Sequence, residues 1–264
     1  MPLKLGKAPA TQDDRDLKYE SYLMAPAAPL TPPPTDSGNL EKVAVWEMLG
    51  NGPDPSVSPD FEGAGDCVFA GGDHETMLWL TEAGVAIVGK FDGTTALADY
   101  SAVTGYDIDD PNTDNGTNVR TALNYRRKVG LVDKDGKRHK LAGYVRLQPG
   151  NKSHVKEAIH LFDAVGIGIA FPDSAMDQFN NDEPWSVVPG PDPTEGHYIP
   201  LIGYDAKYLY CVTWGKVQPM TWDFFEKYCD EAWALLSQEF LKDGKSSDGF
   251  NFAQLKKDLQ ALSH

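Results

Sequence analysis

The sequence feature that most constrains the fold is a glycine-bearing loop that runs into a helix and places a cysteine at the helix start. The loop ends at Asp66, a residue type favoured at helix N-caps, and the following residues through about Glu82 carry apolar side chains at three- and four-residue spacing. Cys67 is therefore the first helical residue, where unpaired N–H groups and the helix dipole favour a thiolate. Cys67 is a candidate nucleophile; the alternative is a small buried apolar residue.

Composition and charge narrow the range of partners. The 264 residues carry a net charge of −15 with no basic run, which argues against nucleic acid and anionic membranes. No stretch approaches the roughly 18 apolar residues of a membrane span, and the charged N-terminus has no apolar core behind it, so we expect no secretory signal. Three widely spaced cysteines suit a reducing compartment. We expect a cytoplasmic or virion-associated protein with no cofactor and no metal.

The chain divides into three parts by composition. Residues 1–40 form a proline-rich arm, which either lies on the body or is a disordered leader. Residues 41–237 form the main domain, in which helical patterns come first and antiparallel strand patterns second. Residues 238–264 are a charged tail ending in a short amphipathic helix. This order predicts an α+β fold of two lobes with a cleft between them.

A histidine in the second half is the candidate partner of the cysteine. His197 begins a predicted strand that runs to Tyr204, 130 residues after Cys67. A catalytic thiolate needs an imidazole within hydrogen-bond reach, to accept its proton and to protonate the leaving group. His74 lies on the same helix as Cys67 but about 10 Å along it, which favours a buried structural histidine. We therefore expect Cys67 and His197 to meet across the cleft.

Three segments in this order resemble the papain-like cysteine peptidases, and Gly65-Asp66-Cys67 with His74 is similar to a branch found in bacterial and phage-encoded proteins. Cys67-Val68-Phe69-Ala70 behind its glycine turn is similar to the cysteine helix of that superfamily. Gly196-His197 and the strand after it resemble its histidine strand, and Cys211-Val212-Thr213-Trp214-Gly215 resembles its Asn-Ser-Trp-Gly segment. The resemblance covers residues 40–237 and implies a helical left lobe and an antiparallel, barrel-like right lobe.

Two positions depart from the family pattern. The asparagine that orients the histidine falls on Thr213, whose hydroxyl is a weaker substitute; Asp205 is the other polar candidate, although turn chemistry also explains it. The oxyanion-hole glutamine falls on Phe61. Asn51 can supply that amide if the segment from Gly52 to Gly63 loops out as an insertion, alongside the backbone N–H of Cys67.

The resemblance also implies substrate-binding positions. Gly116 occupies the place of the glycine that binds the substrate backbone, and its alternative is an ordinary turn glycine. Trp214 is expected to line the cleft beside His197, although core packing explains it equally well.

The resemblance implies a thiol hydrolase that cleaves a peptide or isopeptide bond through an acyl-enzyme. Cys67 is the nucleophile, His197 the general base and then acid, and Thr213 the orienting residue. A catalytically silent module with a binding or structural role, for example in a phage particle, is one alternative. A sister acyltransferase or amidase is another, because the same pair of side chains transfers acyl groups to amines.

Overall fold

The computed structural model describes residues 3–23, 34–238 and 251–261, and its helical lobe comes first in the chain. Helix α1 (Cys67–Glu82) is buried along nearly its whole length. It packs against α2 (Gly93–Thr104), α3 (Val119–Lys128) and a small hairpin of β2 (Leu131–Val132) and β3 (Arg138–His139). The predicted start and end of α1 are correct. Asp66 stands at the N-cap position, but its buried carboxylate makes no capping hydrogen bond.

The second lobe is an antiparallel sheet with the strand order β4-β9-β5-β6-β7-β8. Its strands are β4 (Leu141–Leu147), β5 (Val165–Phe171), β6 (Glu195–Tyr204), β7 (Tyr208–Thr213), β8 (Lys216–Thr221) and β9 (Cys229–Ser237). The two-residue strand β1 (Ser37–Gly38) adds to β6. Helices α4 (Lys152–Phe162), α5 (Asp173–Asn180) and α6 (Trp222–Tyr228) complete the lobe. The α+β prediction is confirmed.

The sheet is open rather than barrel-like. Across the described residues, β4 and β8 are its two edges and do not pair with each other. Pro219 lies in the edge strand β8, where the missing backbone N–H leaves no gap within the sheet. The expected antiparallel lobe is therefore present, and its sheet is not closed into a barrel.

A buried polar cluster joins the two lobes. Arg126 of α3 donates to the Glu75 carboxylate of α1 at 2.6 Å, and the Tyr198 hydroxyl of β6 donates to its other oxygen at 2.8 Å. The Arg126 and Glu75 side chains are 2% and 0% exposed. Both carboxylate oxygens of Glu75 therefore have a partner, so the charge pair is buried without an unsatisfied oxygen.

The described part of the arm lies on the body. The Arg120 guanidinium of α3 pairs with Asp16, and the Leu17 carbonyl accepts from Arg146 N of β4 at 2.7 Å. A short helical turn, Tyr19–Tyr22, then meets α7 (Phe252–Ala261), where the Tyr22 hydroxyl donates to Asp258 at 2.8 Å. The arm is thus held by both the body and the C-terminal helix. No helix in the described ranges is both long and apolar enough to cross a bilayer.

Candidate active site

Cys67 lies at the N-terminus of α1 and is completely buried. Burial raises the pKa of its thiol to about 12, although the backbone N–H groups of Tyr198 and of Gly6 face the sulfur and act in the opposite direction. The expected preference for a thiolate is therefore reversed in this structure. The reason is desolvation, which here outweighs the helix N-terminus because the arm covers the sulfur.

His197 lies on β6, directly opposite Ile169 of β5, and is completely buried. Its Nε2 is 2.7 Å from the Thr213 hydroxyl oxygen, and its ring stacks on Trp214 with centroids 4.4 Å apart. Burial lowers the pKa of the imidazole to about 3. Its Nδ1 is buried and has no hydrogen-bond partner among the described residues, so the expected hydrogen bond between Cys67 and His197 is not formed in this structure. The ring is therefore neutral and held from one side only.

Thr213 is the polar side chain that contacts the imidazole. Asp205, the alternative candidate, uses its carboxylate in the β6–β7 turn, accepting from the backbone N–H groups of Lys207 and Tyr208 and from the Tyr210 hydroxyl, each at 2.7 Å. These contacts explain Asp205 as a turn residue. The geometry therefore brings Thr213, and not Asp205, to the ring.

The segment before α1 loops out, as the interpretation of Asn51 requires. Gly52 and Gly63 lie so close that a Cβ on Gly63 would come within 2.8 Å of the Gly52 backbone. Ala64 N donates to the Gly50 carbonyl at 2.9 Å, which holds this loop against the residues just before Cys67. Asn51 is buried here, and its side-chain oxygen has no hydrogen-bond partner.

The arm runs through the cleft as an extended strand between the two lobes. On the helical side, Thr117 N donates to the Gly6 carbonyl at 2.7 Å and Ala8 N donates to the Thr117 carbonyl at 3.0 Å. On the sheet side, Lys7 N donates to the Gly196 carbonyl at 3.1 Å. The arm is parallel to the Thr117 segment and presents the N–H of Gly6 to the Cys67 sulfur.

Gly116 and Trp214 both contact this strand. Gly116 has a left-handed backbone (φ 67°), and a Cβ there would lie 2.2 Å from the Gly6 carbonyl oxygen. The backbone hydrogen bonds to the arm come from Thr117, one residue further on. The Trp214 indole N–H donates to the Lys4 carbonyl at 3.3 Å. Both predicted residues therefore lie along the cleft, one on each side of the arm.

The remaining histidine of interest is structural in its contacts. His74 Nε2 is 2.8 Å from the Glu47 carbonyl oxygen, and burial lowers the pKa of the ring to about 4. No group of three or more histidine, cysteine or acidic side chains in the described ranges is arranged to hold a metal ion.

Comparison with known proteins gives the fold. No family described by a sequence model matches the chain, and no curated protein matches it in sequence. Solved structures do. Xylellain, a cysteine protease from Xylella fastidiosa, is 14% identical over 89% of this chain and 98% of its own, with a TM-score of 0.63.

Two further structures agree. A structure from work on the mite allergens Blo t 1 and Der p 1 is 14% identical over 80% of this chain and 73% of its own, with a TM-score of 0.54. Digestive procathepsin L 3 of Tenebrio molitor is 13% identical over 84% of this chain and 76% of its own, with a TM-score of 0.52. The chain has the papain-like fold.

The structure adds a lysine that sequence reasoning did not connect to the site. Lys7 of the arm donates to Asp230 of β9, 223 residues away, at 2.9 Å and lies 3.4 Å from Glu231. The only sequence signal was a basic residue in the arm and an acidic pair at the end of a helical pattern. Neither indicates the other, because the contact depends on the arm lying in the cleft.

Proposed function

We propose that the protein is a thiol hydrolase of the papain-like type that cleaves a peptide or isopeptide bond through an acyl-enzyme on Cys67. One observation carries the substrate class: the cleft above Cys67 holds an extended peptide, the arm, by backbone hydrogen bonds to both lobes. Backbone bonds of this kind recognise peptides whatever their side chains. A substrate therefore takes the place of the arm.

In the proposed reaction, His197 Nε2–H donates to the Thr213 hydroxyl and leaves Nδ1 as the base. The Cys67 sulfur forms a bond to the substrate carbonyl carbon while its proton passes to Nδ1. The carbon–nitrogen bond then breaks, and Nδ1–H protonates the departing amine. Water hydrolyses the resulting thioester, giving a proton to Nδ1 that returns to the sulfur.

The oxyanion formed in each step requires hydrogen-bond donors whose bonds to the oxygen become stronger as its negative charge develops. We assign this role to the side-chain amide of Asn51 and the backbone N–H of Cys67. The hydrogen bond from Ala64 N to the Gly50 carbonyl and the close approach of Gly63 to Gly52, which close the loop that follows Asn51, support the assignment. Gly116 and Trp214 line the path of the substrate backbone, and the stacked indole shields the imidazole from water.

The test uses a full-length variant in which the arm cannot stay in place. A Cβ on Gly6 would lie 1.8 Å from the Gly65 carbonyl oxygen, so Gly6→Ala expels the arm, whereas Gly190→Ala meets nothing within 4 Å and is the control. We expect Gly6→Ala to hydrolyse a mixed fluorogenic peptide library. Adding Cys67→Ala or His197→Ala should remove nearly all turnover, and Thr213→Ala should reduce it about tenfold.

The alternatives give different results. A silent module predicts that Gly6→Ala exposes Cys67 to alkylation yet hydrolyses no peptide. An acyltransferase or amidase predicts that an added amine captures the acyl group in preference to water.

A further inference from the structure

The cleft contains a pocket that the main domain supplies and the arm occupies with one lysine. The Lys7 side chain is completely buried in it. The floor is Gly168 of β5, where a Cβ would lie 2.0 Å from Lys7 Cε. The wall is Asp230 and Glu231 of β9, the strand that pairs with β5 opposite Gly168. The floor and the wall of the pocket therefore belong to two adjacent strands of the sheet and not to the arm.

The pocket is built for a cation. The Lys7 ammonium is 2.9 Å from Asp230 Oδ2 and 3.4 Å from Glu231 Oε1, and it also donates to the Ala8 carbonyl at 3.2 Å. Among the described residues, Lys7 is the cation within ion-pair distance of these carboxylates. One positive charge thus faces two negative ones, and Asp230 Oδ1 and Glu231 Oε1 have no hydrogen-bond donor. Without the arm, the two carboxylates of the domain would lack a cation and could bind a basic group.

The carboxylates are positioned by the domain itself. The Trp233 indole N–H donates to Glu231 Oε2 at 3.0 Å, which turns the other oxygen, Oε1, toward the pocket. Burial raises the pKa of Glu231, and the charge of Lys7 opposes that shift. A buried acid of this kind is most stable when a cation is beside it. Its orientation does not depend on any arm residue.

The pocket lies within reach of the reacting atoms. Lys7 directly follows Gly6, whose N–H faces the Cys67 sulfur, and its own N–H bonds to Gly196, the residue before His197. The cleft continues beside it as a cavity of about 500 Å³ lined in part by Ala170, Thr194 and Asp114. Any extended peptide held by these backbone groups presents one side chain to the pocket.

We propose that the pocket of Gly168, Asp230 and Glu231 selects a lysine or arginine side chain of the substrate within two residues of the scissile bond. This inference rests on the proposed function, but its binding test does not require that the protein hydrolyses a peptide. The net charge of −15 acts in the same direction, because it attracts basic peptides to the protein. Lys7 is then the chain's own occupant of a specificity pocket.

The experiment compares lysine with methionine, which has similar length and no charge. The protein is the full chain carrying Gly6→Ala and Lys7→Met, so that the arm is expelled and cannot refill the pocket with an ammonium. Lysine is moved through each position of an alanine hexapeptide, and each peptide is paired with its methionine counterpart. We expect kcat/KM to favour lysine by about tenfold to a hundredfold at one position.

Two variants of the pocket and one control test whether the preference for lysine arises from Asp230 and Glu231. Asp230→Asn and Glu231→Gln should each lower the ratio of lysine to methionine rates toward unity. Asp60→Asn removes an acid from an exposed loop and should leave the ratio as it was. The ratio is internal to each protein, so a general loss of activity does not alter it.

Binding separates this inference from the proposed function. In the same background with Cys67→Ala, fluorescence anisotropy should show tighter binding of the lysine peptide by a similar factor. If no peptide is hydrolysed but lysine is still preferred in binding, the hydrolase proposal fails and the pocket stands. Equal rates and equal binding of the two peptides, or no binding of either, would overturn the pocket. Should the double variant fail to fold, the single variant Gly6→Ala, which also expels the arm, takes its place in both assays.

Discussion

Two of the ion pairs among the described residues bury their cation, and they differ in which part of the chain supplies it. Arg126 and Glu75 both belong to the helical lobe, and each Glu75 oxygen has a partner. Lys7 belongs to the arm, and its partners Asp230 and Glu231 belong to the sheet, with Asp230 34% exposed. The first pair cannot separate without breaking the body apart. The second separates when the arm lifts, because water then reaches both charges.

The largest difference between the pairs should appear in global stability. Glu75→Ala leaves the Arg126 charge buried without a counter-ion and the Tyr198 hydroxyl without its acceptor, which should cost about 3–5 kcal/mol of unfolding free energy. Lys7→Ala should cost about 1 kcal/mol or less, because the arm can leave and the carboxylates can hydrate. Urea unfolding followed by circular dichroism measures both. Equal losses of unfolding free energy would show that the Lys7 ion pair stabilises the fold as much as the Arg126 ion pair does.

The next largest effect should appear in the reactivity of Cys67, the residue that the arm covers. Burial raises the pKa of Cys67 from an ordinary value of 9.0 to about 12. Restoring the ordinary value in Gly6→Ala would increase the thiolate fraction near neutral pH about a thousandfold, and alkylation should accelerate by two to three orders of magnitude. Iodoacetamide labelling with peptide mapping measures it. Cys211 and Cys229 are internal references, since burial within the sheet raises the pKa of both. If Cys67 were labelled at the same rate in Gly6→Ala as in the wild type, the arm would not be what protects the thiol.

The smallest effect concerns pH. Burial lowers the pKa of His197 to about 3 from an ordinary 6.5. Because the imidazole pKa is lowered while the arm lies in the cleft, protonation of His197 opposes this covered state. The covered state is therefore fully favoured above pH 6.5, and this contribution to its stability is lost as pH falls from 6.5 toward 3. Proton NMR should show His197 neutral down to about pH 4 in the wild type and titrating at a higher pH, closer to its ordinary value, in Gly6→Ala. His74, whose pKa burial lowers to about 4, should titrate alike in both proteins. A normal His197 titration in the wild type would refute the covered state.

Local patterns predicted the parts of the fold that depend on neighbouring residues. Helix α1 begins at Cys67 and strand β6 contains His197 as expected, because capping chemistry and apolar runs are encoded within a few residues. Cys229 directly follows α6 but opens β9, since pairing with β5 outweighs continuation of the helix. The cap of α4 is Asn151, whose side chain accepts from His154 N, although Ser153 in the same polar turn is also a residue type favoured at caps.

Contacts between distant segments set the limit of prediction from this sequence. The proximity of Thr213 to His197 followed from the resemblance and is seen in the structure. The pairing of Lys7 with Asp230, and the pKa of Cys67, depend on an arm whose position has no local signature. Closure of the sheet likewise depends on whether two edges meet, and a strand pattern does not encode that. The division of the chain at residues 40 and 237 stays a prediction.

The attachment of the arm at Asp16 and at the Tyr19–Tyr22 turn has a consequence for how the cleft responds to its surroundings. A segment that lifts from Cys67 but stays fastened some ten residues away remains at a local concentration in the millimolar range. Dilution cannot remove such a competitor, and a substrate must outcompete it at that concentration. Occupancy of the cleft is therefore set by the tether, and only cutting the chain between Ala8 and Asp16 or loosening the fastening would change it permanently.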